Sequence, residues 1–169
     1  MTSAVHFSRH TGGVDEPCCA PLAETNPSQC PACGQRGTPV ETQTVKALLT
    51  TSALQRLDAR PLWFCAHPTC DTVYFGDGQR YGTSELRVPV WQKAPGENRM
   101  ICYCFGENES DIRREIELAG ASGAVSRVRG HIDGQRCACE LRNPRGTCCL
   151  GDVIASVKRL LASSEAVSR

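Results

Sequence analysis

The residues best suited to chemistry in this 169-residue chain are its twelve cysteines. Cys30-Pro31-Ala32-Cys33-Gly34 spells a tight knuckle. Two cysteines three apart can point their sulfurs at one ion, backbone N–H groups then donate to the thiolates, and the glycine supplies the positive φ such a turn needs. Cys65-Ala66-His67-Pro68-Thr69-Cys70 offers a second pair. Two such pairs joined by a strand-rich insert form the pattern of a four-cysteine zinc ribbon, with all four tetrahedral positions filled and the ion structural. His67 is an alternative ligand, and four thiolates also suit a mononuclear iron.

A second set lies further along the chain. Cys102-Tyr103-Cys104 puts two thiols on one side of an extended segment, because side chains alternate with period two. Cys137-Ala138-Cys139-Glu140 and Asn143-Pro144-Arg145-Gly146-Thr147-Cys148-Cys149 follow. The last cysteine opens a helix, so its thiolate faces the positive helix end. Six cysteines thus compete for the four places of a 2Fe-2S cluster. Cys102, Cys104, Cys139 and Cys149 are the expected ligands, with Cys137 and Cys148 as alternates. Neighbouring cysteines such as 148 and 149 diverge in direction, so one of them stands aside. A second zinc is the competing occupant, since spacing alone does not separate zinc from iron.

These ligands need elements to hold them. Leu62-Trp63-Phe64-Cys65 and Thr72-Val73-Tyr74-Phe75 read as strands flanking the second pair. Arg87-Val88-Pro89-Val90-Trp91 reads as a further strand, with Pro89 placing it at an edge. Val45, Leu48, Leu49 and Leu57 predict a short helix over 44–57. A linker is expected at 94–101. Beyond it the pattern turns helical. Asp111 to Leu118 forms one helix, with Ser110 as N-cap and Gly120 as its stop. Val125, Val128 and Ile132 mark a second, ended by Gly134. Val153, Ile154, Val157, Leu160 and Leu161 mark a third. The expected fold class is α+β: a small zinc-ribbon-like β part over 30–93, then a helical cluster-binding part over 94–169, the two packing as one unit or as two. Residues 1–29, rich in Ser, Thr, Gly and Pro, form a flexible arm carrying Cys18 and Cys19.

Composition narrows the function classes. The net charge is +1 and aromatics are 5 %. Neither a global field nor stacking platforms favour nucleic acid. No stretch reaches the apolar length that spans a bilayer. Met1 to Glu16 carries His6, Arg9, His10, Asp15 and Glu16 without an apolar run, unlike a secretory signal. A cytoplasmic location is expected, where thiols stay reduced and bind metals. The four histidines, His6, His10, His67 and His131, have no evident acid–base partners, and no hydrolase or nucleotide-binding motif occurs. Arg113, Arg114, Arg127 and Arg129 offer a docking face for an acidic partner, or a solvated helix surface.

The words Ile101-Cys102-Tyr103-Cys104-Phe105-Gly106, Asp111-Ile112, Cys137-Ala138-Cys139-Glu140, Asn143-Pro144, and Cys148-Cys149-Leu150-Gly151-Asp152 together resemble the cysteine-rich N-terminal domain of archaeal CopZ-type copper chaperones. Cys30-Pro31-Ala32-Cys33-Gly34, Thr44-Val45-Lys46 and Val73-Tyr74-Phe75 fit the same family, so the resemblance runs over roughly residues 28–160. The later part is also similar to bacterioferritin-associated ferredoxin, a helical 2Fe-2S binder with a CxC and a later CxxC, but an insert here replaces that CxxC. The resemblance implies one four-cysteine zinc and one 2Fe-2S cluster in an α+β unit. It also implies redox work beside copper delivery, at most reduction of Cu(II) to Cu(I) rather than a classical enzyme activity. The resembled proteins continue into a copper-binding ferredoxin-like domain with a Met-x-Cys-x-x-Cys loop, which these 169 residues do not contain.

Three functions follow as expectations. The first is electron transfer in copper or mercury handling, with a redox partner or a copper- or mercury-handling protein as partner. The second is a metallochaperone or sensor for Cu(I), with Cys18 and Cys19 as a soft-metal pair. The third is a zinc-stabilised interaction module without redox activity.

Overall fold

The computed structural model describes residues 28–167 apart from Glu97; Cys18, Cys19 and the arm's residues 1–27 lie outside the described residues. Its first half is built on a four-stranded antiparallel sheet in the order β1 (Thr38–Val40), β2 (Leu62–Phe64), β3 (Thr72–Gly76), β4 (Gln79–Gly82). Val40 pairs with Leu62, Phe64 with Tyr74, and Phe75 with Arg80. β3 is buried along four successive residues, so both sheet faces are covered. One face, through Val73 and Tyr74, packs with Val45, Leu49, Phe64, Tyr81 and Val90. On the other, Phe75 stacks on Trp63 beneath Cys30, Cys65 and Cys70.

The helix expected over 44–57 is two short ones, α1 (Thr42–Leu48) and α2 (Thr51–Leu54). Leu49 leaves the helix to bridge Leu86, and Thr50 restarts it by accepting from the Ala53 N–H. The strand expected over 87–91 does not form. Pro89 has no N–H to give a ladder, and the hydroxyl of Tyr103 serves the segment instead. It donates to Pro89 O (2.7 Å) and accepts from Trp91 N–H (2.9 Å).

The second half begins inside the expected linker, at β5 (Met100–Cys102), which pairs with the two-residue β6 (Glu107–Asn108). Four helices follow: α3 (Glu109–Ala119), α4 (Ala124–Asp133), the one-turn α5 (Cys139–Arg142) and α6 (Leu150–Val167). α3 starts earlier than expected, because Asn108, not Ser110, accepts from the Asp111 N–H (2.9 Å). It stops at Gly120 as expected. Ile112, Ile116, Val128, Val153, Val157 and Leu160 close a core with Ile101 and Cys102. Two buried carboxylates in this half are paired. The buried Glu109 carboxylate receives Arg99 (2.7 Å) and Arg159. Glu107 takes a two-pronged grip from Arg127 at 2.8 Å on each oxygen, and Arg127 also reaches Glu115. Arg127 is therefore committed within the fold rather than to a docking face.

The halves are joined where α1 meets α5. Thr44 donates to Glu140 O (2.7 Å), and the buried Tyr74 hydroxyl donates to Pro144 O (2.8 Å). The Asn-Pro turn that leads to Cys148 and Cys149 is thus fixed from the sheet side. Among the described residues no helix is long and apolar enough to cross a membrane.

Candidate metal centres

The first centre gathers Cys30, Cys33, Cys65 and Cys70. Their sulfurs all lie within 4.8 Å of one another, with Cys30–Cys70 at 3.9 Å and Cys33–Cys65 at 3.6 Å. The knuckle closes by Gly34 N–H to Cys30 O (2.8 Å), and Gly34 holds the left-handed conformation this demands, φ +71°. Cys65 follows β2, and Cys70 lies two residues before β3. Backbone N–H groups of Ala32 and Cys33 point at the Cys30 sulfur, and those of Gln35 and His67 at Cys33 and Cys65. Burial by itself raises the Cys30 thiol, but these donors and the neighbouring thiols bring it down to about 7. At Cys65 burial wins and the thiol is pushed up to about 12. Four thiols this close cannot all ionise without a cation, and a divalent cation would take the place of their protons. Three are buried and only Cys33 is partly open. His67 stays outside the group, with its ring against the Thr69 hydroxyl.

The second centre is arranged differently. Cys102 ends β5, Cys104 sits in the turn after it, Cys139 opens α5 and Cys149 immediately precedes α6. They meet as two pairs. Cys104 and Cys139 sulfurs are 3.8 Å apart, and the thiols of Cys102 and Cys149 hydrogen-bond to each other. Among the described residues no second group of three or more ligand atoms lies mutually within 4.8 Å, so these four sulfurs are spread wider than those of the first centre. Gly106 closes the CxC turn on Cys102 O (2.8 Å) with φ +77°. Donors line the sulfurs: Ala138 N–H to Cys104 (3.4 Å), Cys104 and Phe105 N–H to Cys102, and Cys149 N–H to Cys139. The hydrogen bond from Cys149 leads in lowering the Cys102 thiol to about 6, against burial. The same bond and burial push Cys149 far up. Burial, then the charge of Cys104, raises Cys139 to about 12.

The alternates are also placed. Cys137 is half-buried, its thiol against that of Cys139, and Cys148 is exposed. Two features had no signal in the sequence. The ring of His131 stacks on Phe105 at 3.7 Å, beside the CxC turn, and accepts at Nδ1 from Arg136 Nε (3.1 Å). Lys93 donates to both His67 O and Cys70 O (2.8 Å each), clamping the second knuckle from outside. Only tertiary packing brings either pair together.

A sheet holding a four-thiol group, followed by a helical half holding paired thiols, defines a small two-centre cysteine protein. Residues 27–87 match a family model described as a zinc binding domain, zf_CopZ. The chain is similar to the copper chaperone CopZ of Archaeoglobus fulgidus, 29 % identical over 121 residues, or 72 % of this chain and 57 % of that protein. It therefore spans little more than half the length of that curated relative. It is also similar to the X-ray structure of the A. fulgidus CopZ N-terminal domain, with a TM-score of 0.61 and 29 % identity, covering 72 % of this chain and 91 % of that one. The resemblance to the CopZ-type N-terminal domain thus holds in sequence and in fold, and zinc binding is supported by the matched domain and the four-thiol group.

Proposed function

We propose that the chain holds a structural zinc at Cys30, Cys33, Cys65 and Cys70 and a 2Fe-2S cluster at Cys102, Cys104, Cys139 and Cys149, and that it transfers electrons in copper handling. The observation that carries the second assignment is the pairing of its sulfurs. One tetrahedral ion wants four sulfurs around a point, as in the first group. Two irons want two thiolates each, and the Cys102–Cys149 and Cys104–Cys139 pairs supply that arrangement. The donor set fits as well. Backbone N–H groups donate to the sulfurs of Cys102, Cys104 and Cys139, as a charged cluster would need.

A 2Fe-2S cluster supplies one reversible electron. The protein's part is to hold the site rigid and half dry. Cys102, Cys139 and Cys149 are buried, while Cys104 is partly open and gives the site one exposed edge. The copper assignment rests on the likeness to the copper chaperone of A. fulgidus, and a cytoplasmic location goes with a thiol-rich, metal-loaded chain. The test is elemental analysis of the full chain purified without oxygen. Two irons and one zinc per chain support the proposal. Two zincs and no iron, persisting after anaerobic reconstitution with iron and sulfide, would replace it with a zinc-stabilised interaction module.

A further inference from the structure

The segment 89–94 touches both centres. Its middle is fixed in the sheet half. Val90 is buried in that core, and its carbonyl accepts from the N–H groups of Lys93 (2.9 Å) and Ala94 (2.8 Å), which closes the segment into one turn. At one end of the turn the half-buried Lys93 donates its ammonium protons to His67 O and Cys70 O, 2.8 Å each. His67 O also accepts from the Cys70 N–H (3.2 Å), so Lys93 holds the bond that closes the second knuckle of the first centre. At the other end Pro89 O and the Trp91 N–H both meet the Tyr103 hydroxyl, at 2.7 and 2.9 Å. Tyr103 stands between Cys102 and Cys104, whose sulfurs go to Cys149 and Cys139. Its own side chain goes instead to the turn. One closed turn therefore joins the carbonyl of a thiol residue in the first centre to the residue that connects two thiols of the second.

We propose that Lys93 and Tyr103 are positioning residues that couple the two centres: through the 89–94 turn, the zinc knuckle holds the CxC loop, and with it Cys102 and Cys104, in place for the cluster. Groups that lie behind metal ligands orient them and tune the metal. Hydrogen bonding and exposure of the sulfurs set the potential of an iron–sulfur cluster, so a CxC loop released from the turn gives a different potential. The electron-transfer centre thereby answers to the state of the zinc centre. Coupling of this kind is reciprocal, so the oxidation state of the cluster acts on the zinc knuckle by the same route. The inference rests on the cluster assignment above and adds a regulation to it.

The test is a redox titration of the full chain, purified anaerobically, with zinc and iron counted and the paramagnetic resonance line recorded for each variant. Tyr103→Phe is expected to keep both metals and to change the ratio of oxidised to reduced cluster at a fixed potential about threefold, a shift of about 30 mV for one electron. Lys93→Met, which alters contacts of the zinc knuckle alone, is expected to move the potential and the line as well. Lys93→Arg, which keeps the cation and its N–H donors, is expected to restore the wild-type values. The double variant Y103F/K93M is expected to shift no further than Y103F, because the route runs through the tyrosine hydroxyl. A wild-type potential and line in Tyr103→Phe or Lys93→Met, with both metals in place, overturns the coupling and leaves the cluster assignment standing. Shifts that add in the double variant also overturn it, since Lys93 then acts by its charge alone. If Lys93→Met sheds its zinc, Tyr103→Phe, which removes one hydroxyl, still decides. Absence of iron from the reconstituted wild-type chain overturns the cluster assignment and the coupling together.

Discussion

The two thiol centres solve the same problem, bringing four sulfurs together, by opposite means. In the sheet half, two knuckles at strand ends deliver four sulfurs to within 4.8 Å of one another. Local turn geometry does most of the work there, through Gly34 and the N–H donors of the loops. In the helical half, a CxC turn and the starts of two helices deliver two pairs. There the helices, their core and the grip of Arg127 on the buried Glu107 set the spacing. A centre made by turns is expected to depend on its ion for folding, and a centre made by packed helices is expected to survive loss of its metal better.

The largest effect should separate the halves. Cys65→Ser removes one of four ligands from a site with little other support. Structural zinc contributes on the order of 10 kcal/mol to folding in small zinc domains. Loss of stoichiometric zinc should lower the melting temperature by roughly 10 °C or more, read by circular dichroism beside metal analysis. Cys149→Ser should instead abolish iron binding while leaving zinc content unchanged, and the helical signal should largely persist. Equal collapse of both variants would break the contrast.

Arg127→Met tests what frames the second centre. It leaves the buried Glu107 without its two-pronged partner. Breaking a fully buried pair costs about 3–5 kcal/mol, and because the Arg127 side chain is 43 % exposed the expected loss is about 2 kcal/mol in urea unfolding. Tyr74→Phe tests the joint between the halves. It removes the donor to the buried Pro144 carbonyl and should cost about 1–2 kcal/mol. If the halves fold independently, only the sheet half will register that loss.

The smallest effect is a pH dependence. Burial by itself raises the Glu115 carboxyl, but the Ser122 hydroxyl, Arg127 and the Gly123 N–H together hold it below its ordinary value. A lowered carboxyl contributes stability that is full above its unfolded value and is lost as pH falls through the folded one. Glu115→Gln should therefore be less stable than wild type near neutrality, and the gap should close as the solution is acidified below the ordinary glutamate range. A constant gap in paired urea titrations would contradict this, and the wild-type reference cancels the proton-driven loss of metal common to both.

Much of this arrangement was legible in the residues. The cysteine words carry chemistry at fixed spacing, so each pair could be placed on a loop or helix start without a structure. The helices α3, α4 and α6 were legible because their apolar faces repeat at helical period. What the sequence concealed depends on contacts between distant residues. The bridge of Leu49 to Leu86 divides one expected helix into two. Tyr103, far from Pro89 in the chain, supplies the hydrogen bonds that replace the expected strand. Asn108 and Ser110 are both good caps, and the β5–β6 pairing decides for the earlier one. A single turn such as α5 is too short to show a period at all.

The most direct test of the account is the paramagnetic resonance spectrum of the anaerobically purified full chain, before and after dithionite. The paired-thiol assignment predicts silence before reduction and a signal afterwards, accounting for about one spin per two irons, that disappears in Cys149→Ser. A colourless protein with no signal in either state after cluster reconstitution would contradict it.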